Sequence, residues 1–311
     1  MLAGDSGERQ GRFRRTECHN AKMAVPSRVA DFLALTKPRL NLLVLLTTAA
    51  AYRLGLDGPL DLTPFAHTLM GTALVAGGAA ALNQVWERES DRLMARTRLR
   101  PLPDARLGTG EATWFGRILA LAGLVQLAVF VNGLTALVAL ATLVSYVWWY
   151  TPLKFRTSLS TIVGALPGAL PAVIGWTGAT NQLTPEAWVL FGIVFMWQMP
   201  HFLAIAWMYR DEYARAGMPL LPVIHPDGRS TGRQASLYTA GLLPLTLMPT
   251  LMGMASAYYL AGAVVLGACL LVLSLEFSLV RTHAAARRLF FGSILYLPLL
   301  WGLLVWDHVS H

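Results

Sequence analysis

Long apolar blocks alternate with short polar ones along nearly the whole chain. Nine blocks, roughly 39–56, 65–85, 113–132, 134–152, 159–178, 186–207, 235–255, 257–279 and 289–306, approach the length of about 20 residues that a helix needs to cross a bilayer. Runs of this length are too long for single strands and predict helices. The third and fourth blocks meet at Asn132-Gly133, a turn dipeptide, so that turn is expected at a membrane face. The pattern predicts an all-α membrane protein, a bundle of nine transmembrane helices. Residues 1–36 are polar and carry Arg9, Arg12, Arg14 and Arg15 beside Asp5, Glu8 and Glu17. They lack the apolar core of a secretory signal and the acid-poor composition of a transit peptide. They are expected to form a mostly disordered cytosolic tail, with residues 37–311 as a single transmembrane domain.

Composition strengthens this picture. Only 14% of residues are charged and 55% are hydrophobic, against about 25% charged in soluble proteins. Two soluble domains, which the length of 311 residues alone would suggest, are thereby excluded. The two cysteines, Cys18 and Cys269, cannot build a disulfide framework or a four-thiolate metal site, and both are expected as free thiols. A net charge of +8 raises the question of a nucleic-acid partner. The distribution of that charge gives another answer. If the N-terminus lies inside, all of the 25 Lys and Arg residues except Arg53 fall on the inner side. This is the positive-inside pattern of a membrane protein, and no nucleic-acid partner is expected. The two longest inner loops, 86–112 and 208–234, follow the second and sixth blocks and hold most of the polar chemistry.

The first loop opens with "ALNQVWERESDRLMARTRLRPLP", residues 81–103. Asn83, Glu87 and Asp91 stand at i, i+4 and i+8 and share one helix face, each about 6 Å further along the axis. Three oxygen-bearing side chains where a helix leaves the membrane suit a hard cation such as Mg²⁺, which commonly bridges carboxylates to a substrate phosphate. The plainer reading is a solvated helix end with Glu–Arg pairs. Arg88, Arg92, Arg96 and Arg100 also repeat at i+4 and would form a neighbouring stripe if the helix persisted; Pro101 is expected to end it, with Arg96 to Arg100 already in a loop as the alternative. Guanidinium groups grip phosphate oxygens bidentately, though interfacial arginines also hold lipid phosphates. Charges of both signs in one place fit a diphosphate carried by Mg²⁺.

The second loop contains "WQMPHFLAIAWMYRDEYARAGMPLLPV", residues 197–223. Asp211 and Glu212, between Tyr209 and Tyr213, offer a second metal position or ordinary pairs with Arg210 and Arg215. His201 lies inside an apolar block, where an ionisable group is costly; it is either a satisfied internal residue or a contact to substrate or haem. In "YTPLKFRTS", residues 150–158, Lys154 and Arg156 are candidates for diphosphate oxygens or simple topology signals. Trp148, Trp149 and Tyr150 read as an interface belt, or as an aromatic wall able to stabilise a carbocation. The Gly- and Pro-rich run "GALPGALPAVIGW", 164–176, allows close helix approach or a broken helix along a cavity.

These stretches, with "LTKPRL" at 35–40, make the chain resemble the UbiA-type intramembrane prenyltransferases from there to about residue 306. Within that family the segments around Lys154 and His201 are most similar to the branch that farnesylates haem. The resemblance implies a helical bundle around a central cavity. It implies farnesyl transfer from farnesyl diphosphate to a vinyl group of haem B with addition of water, assisted by Mg²⁺. Asn83, Glu87 and Asp91 match the family's first metal–diphosphate motif, and Asp211 and Glu212 its second acidic region with Tyr209 and Tyr213 beside them. Lys154 matches a basic loop position of the family; on the reading of the residues, Arg88, Arg96, Arg100 and Lys154 are expected to hold the outer diphosphate oxygens, with Arg156 a candidate for the role of the family's second basic residue. Phe155 stands where the family usually has a second basic residue, and Glu89 and Glu212 stand where it often has Asp. The implied partners are farnesyl diphosphate, haem B, the lipid bilayer and a downstream haem A synthase. The tail's lack of transit character and the Lys and Arg distribution give the expected location, a bacterial inner membrane with the N-terminus in the cytoplasm, ahead of a mitochondrial inner membrane. A quinone precursor or chlorophyll-type acceptor is the alternative within the family, and a multi-pass transporter of anionic lipid or phosphate the alternative outside it.

Overall fold

The computed structural model describes residues 27–310. Most of the expected tail, 1–26, and Cys18 within it lie outside the described residues. In chain order the elements are α1 (Arg28–Leu35), α2 (Pro38–Leu54), α3 (Leu62–Leu93), α4 (Thr109–Phe130) and α5 (Gly133–Val144). The last continues through a π-helical stretch, Ser145–Tyr150, into the single turn α6 (Thr151–Leu153). Then follow α7 (Ser160–Thr180), α8 (Pro185–Met208), the short α9 (Arg210–Arg215) and α10 (Leu221–Ile224), α11 (Arg229–Leu251), α12 (Ala257–Val280) and α13 (His283–Ser310). No residue among those described is in a strand.

Each of the nine apolar blocks coincides with a long helix, counting Gly133–Leu153 as one. Seven of these are long and apolar enough to cross a membrane, which makes the chain a multi-pass membrane protein. The segments 38–54 and 229–251 fall short of that standard. The first has only 17 residues. The second begins with the polar run Arg229-Ser230-Thr231-Gly232-Arg233-Gln234. The helices close a ring: α3 packs on α4, α4 on α5, α5 on α7, α7 on α8, α8 on α11, α11 on α12, α12 on α13, and α13 on α2. Helix α2 returns to α3 and also packs on α7. Outward-facing side chains such as Trp114, Ile118, Leu121, Val125 and Val129 of α4 are exposed and apolar, as lipid-facing positions require.

Between helices in lipid, close approach of small residues replaces hydrophobic burial as the source of packing. On α3 and α4 two glycine pairs, Gly71 with Gly123 and Gly78 with Gly116, let the backbones touch. A Cβ at Gly78 would lie 2.6 Å from the Gly116 carbonyl oxygen, and one at Gly123 2.7 Å from that of Gly71. Gly78→Val is therefore expected to lower stability by about 1–3 kcal/mol through overpacking. Gly110→Ala, whose Cβ meets nothing within 4 Å, should be neutral or slightly stabilising. Thermal unfolding of both variants in detergent checks this.

Residues 28–35 correct the expectation of a disordered tail up to 36. They form α1, capped by Ser27 Oγ accepting from the Ala30 N–H at 3.2 Å. Buried Asp31 accepts from Arg106 Nε at 3.1 Å, and buried Leu35 packs with Leu102 and Leu107. The polar composition hid one apolar stripe that the 94–108 loop covers.

Candidate functional site

The last turns of α3 carry the first acidic motif. Asn83, Glu87 and Asp91 are all buried, at 0%, 5% and 1% exposure. Each has a cationic partner. Lys37 Nζ donates to Asn83 Oδ1 at 2.8 Å, Lys154 Nζ to Glu87 Oε1 at 2.5 Å, and Arg100 Nη1 to Asp91 Oδ2 at 2.8 Å. A cavity of about 430 Å³ opens on this cluster. Its polar end is lined by Lys37, Glu87, Asp91, Arg96, Arg100 and Lys154. Four cations against two carboxylates leave an excess of positive charge, the field that an anionic ligand needs.

Three features bring these groups together. Helix α3 ends at Leu93, because Met94 leaves helical dihedrals (φ −103°, ψ 128°). The expected stripe Arg88–Arg92–Arg96–Arg100 is thus broken after its first two members. The chain folds back through a tied loop, in which Thr97 Oγ1 donates to the Asp91 carbonyl at 2.9 Å, and this return places Arg96 and Arg100 on the cavity. The π-helical stretch brings Tyr146 and Tyr150 to the wall, their rings 5.5 Å apart, with Lys154 Nζ 4.4 Å from the Tyr150 ring centre. Such π turns recur at functional sites. Gly164 on α7 leaves room for the Tyr150 ring, which a Cβ there would strike.

Lys37 is the residue that reading the sequence missed. It sits in the left-handed region (φ 49°, ψ 58°) just before Pro38, a conformation costly for a side-chain-bearing residue. That bend aims its ammonium into the bundle, where burial pulls its pKa down to about 8 against the opposing pull of Glu87. The signal available was the Lys-Pro at the head of the first spanning block. For Lys154, burial again works against the charge, but the Glu87 carboxylate beside it prevails and holds its pKa well above the ordinary lysine value.

Other expected site residues divide. Arg96, Arg100, Lys154, His201 and Tyr213 line the cavity with Glu87 and Asp91. Asn83 does not line it: its amide lies behind the wall, with Nδ2 donating to Thr151 Oγ1 at 3.1 Å and Oδ1 taken by Lys37. Arg88 faces away, with Nε 3.6 Å from Glu89. Arg156 is exposed, since its loop turns outward after Lys154. Tyr209 is largely outside, stacked by Arg96 at 5.6 Å. Asp211 is not brought to the cavity: its side chain is 86% exposed, with Arg210 Nε at 3.8 Å, because the first turn of α9 points it to solvent. Glu212 does not line the cavity either, but its Oε2 is buried with no hydrogen-bond partner among the described residues. Of the aromatic run, Trp148 and Trp149 are exposed and Tyr150 joins the cavity wall.

The donor set suits a hard cation. Glu87 and Asp91 place carboxylate oxygens one helical turn apart on the cavity, and Mg²⁺ bridging to a phosphate needs only one or two carboxylates. Among the described residues no three acidic, His or Cys side chains converge closely enough to hold a metal alone. Such a site would be completed by the substrate's own oxygens.

The UbiA prenyltransferase family pattern matches residues 44–297. The chain belongs to this family. A protoheme IX farnesyltransferase of Solibacter usitatus is 48% identical over 89% of this chain and 98% of its own length. One from Myxococcus xanthus is 45% identical over 92% and 97%. Among solved structures, digeranylgeranylglyceryl phosphate synthase shares the fold with a TM-score of 0.78 at 13% identity, covering 91% of this chain and 99% of that one. A UbiA homologue from Archaeoglobus fulgidus bound to GPP and Mg²⁺ shares it with a TM-score of 0.63 at 17% identity, over 88% and 99%.

From burial alone, Asp211→Asn is expected to change turnover by less than about threefold, as exposed substitutions do. Glu212→Gln, which alters a buried unpartnered oxygen, should cost clearly more. Steady-state rates of the two variants under saturating substrates check the order.

Proposed function

We propose that this chain transfers the farnesyl group of farnesyl diphosphate to a vinyl group of haem B, with addition of water, giving haem O and diphosphate. The observation that carries the reaction type is the buried Glu87–Asp91 pair with Lys37, Arg96, Arg100 and Lys154 on a cavity whose remaining lining is mostly apolar. The similarity to curated protoheme IX farnesyltransferases carries the acceptor. In this assignment Lys37, Lys154, Arg96 and Arg100 bind the diphosphate oxygens and stabilise the charge that develops as the C1–O bond of the farnesyl group breaks. Glu87 and Asp91 would hold Mg²⁺, which when bound would supply further charge neutralisation for the diphosphate. Of Asp211 and Glu212 on the second loop, Glu212, with its buried oxygen unpartnered among the described residues, is the one we keep as a contributor, beside Tyr213 on the cavity wall.

The remaining residues shape the acceptor half of the reaction. The rings of Tyr146 and Tyr150 face the cationic farnesyl carbon with their electron-rich faces. Apolar lining such as Leu43, Val75, Ile174 and Val194 keeps water from that carbon until the vinyl π electrons attack it. Water then adds to the resulting cation and loses a proton. The charged lining groups gather where α3 ends and α2 begins, not midway along the spans, and this favours an enzyme over a transporter. We place the protein in a bacterial inner membrane with the Arg-rich loops in the cytoplasm. A haem A synthase is the consumer we assign to its product.

Incubation of the purified protein with farnesyl diphosphate, Mg²⁺ and haem B, followed by mass spectrometry, tests this reading. Haem O is the expected product. Prenylated 4-hydroxybenzoate in a parallel incubation, without haem O, would move the acceptor to a quinone precursor.

A further inference from the structure

His201 projects from α8 onto the cavity. Its ring is stacked between Trp197, centroids 5.3 Å apart, and Phe290 of α13, 5.0 Å apart. Its Nδ1 lies 2.8 Å from Ser293 Oγ, and that Oγ lies 2.7 Å from the Phe290 carbonyl oxygen. The Ser293 carbonyl in turn accepts from Trp197 Nε1 at 2.8 Å. Together these bonds fix the tautomer. Two oxygens 2.7 Å apart need a proton between them, so the single hydroxyl proton of Ser293 points to Phe290. Its oxygen is then left to accept, and Nδ1 must carry the imidazole proton. The lone pair is consequently on Nε2, for which there is no hydrogen-bond partner among the described residues.

A neutral imidazole whose far nitrogen is tied and whose plane is clamped is the arrangement that metal-binding histidines show. Resting on the haem reading above, we propose that His201 Nε2 ligates the iron of the haem acceptor and so anchors the porphyrin in the cavity. The competing role, a base that activates the added water, would turn the ring into an imidazolium. No carboxylate hydrogen-bonds either ring nitrogen among the described residues, and the ring's two stacking partners are aromatic. Ligation of iron through a lone pair puts no charge on the ring and suits these surroundings.

The test uses purified full-length protein in detergent with haem B and, separately, with metal-free protoporphyrin IX. Resonance Raman spectra of the reduced wild-type haem complex are expected to show an iron–histidine stretch that His201→Ala lacks. His201→Ala should bind haem at least about tenfold more weakly, with Ser293→Ala intermediate. The affinity for protoporphyrin IX and the KM for farnesyl diphosphate should stay as in the wild type, which a merely structural role for His201 would not leave intact. An iron–histidine stretch that survives in His201→Ala overturns the proposal, as does an unchanged haem affinity with a depressed kcat. Should His201→Ala fail to fold, the wild-type spectrum decides alone: conversion of haem to haem O without that stretch overturns iron ligation and leaves the haem reading standing. A wild-type protein that neither binds nor converts haem overturns both.

Discussion

Asp91→Asn is expected to lower haem O formation by roughly a thousandfold while leaving the fold intact. The side chains are isosteric, and Arg100, about one quarter exposed, reaches solvent when its carboxylate partner is neutralised. Stability should therefore change little. The chemistry should not tolerate the change. Asp91 is 1% exposed and opens only on the cavity, so no water shell can replace its charge. An amide in its place offers one neutral oxygen and a pair of N–H donors, which is a poor ligand for a hard cation. Lost preorganised charge at a leaving group is costly because the site cannot reorganise to recover it. Turnover and thermal unfolding of the same preparation separate the two effects.

Lys154→Met is expected to act on stability and function together. The Lys154–Glu87 pair is nearly enclosed, with side-chain exposures of 18% and 6%. Removing one member of a buried pair strands the other charge at a cost of about 3–5 kcal/mol. Lys37 remains close to Glu87, which places the expected loss at the lower end of that range. Adding Glu87→Gln should restore most of the stability, since a neutral amide needs no counter-charge. It should not restore activity, because the proposed mechanism assigns Lys154 to the diphosphate and Glu87 to the cation. Melting temperatures of the two single variants and the double variant form the cycle that reads the coupling.

The bundle was legible because a bilayer imposes one simple pattern. About 20 apolar residues are needed per crossing, and the nine blocks fall on nine long helices among the described residues, with ends shifted by up to eight residues where polar helical turns extend beyond the apolar block. Glu87 and Asp91 were legible because both lie before Leu93, where helical spacing holds. Arg96 and Arg100 reach the cavity through a loop and not through a continued helical stripe, which spacing alone does not distinguish. Asn83 shares the helix face but is covered by Lys37, which comes from 46 residues away, and no periodicity reports such a contact. Lys37 itself depends on a left-handed turn that a Lys-Pro pair does not announce. Asp211 was chosen for its charge, and charge does not say which way a short helix turns. The π-helical stretch has no pattern that separates it from α-helix in a Trp- and Tyr-rich run.

The central claim is that buried carboxylates and cations at one end of the bundle release diphosphate from an isoprenoid. Its most direct test is simultaneous measurement of pyrophosphate and haem O from the purified Glu87→Gln/Asp91→Asn double variant and the wild type, with Mg²⁺ and then with excess chelator. We expect one pyrophosphate per haem O in the wild type, no turnover with chelator, and none from the double variant under either condition. Undiminished turnover by the double variant would contradict the account.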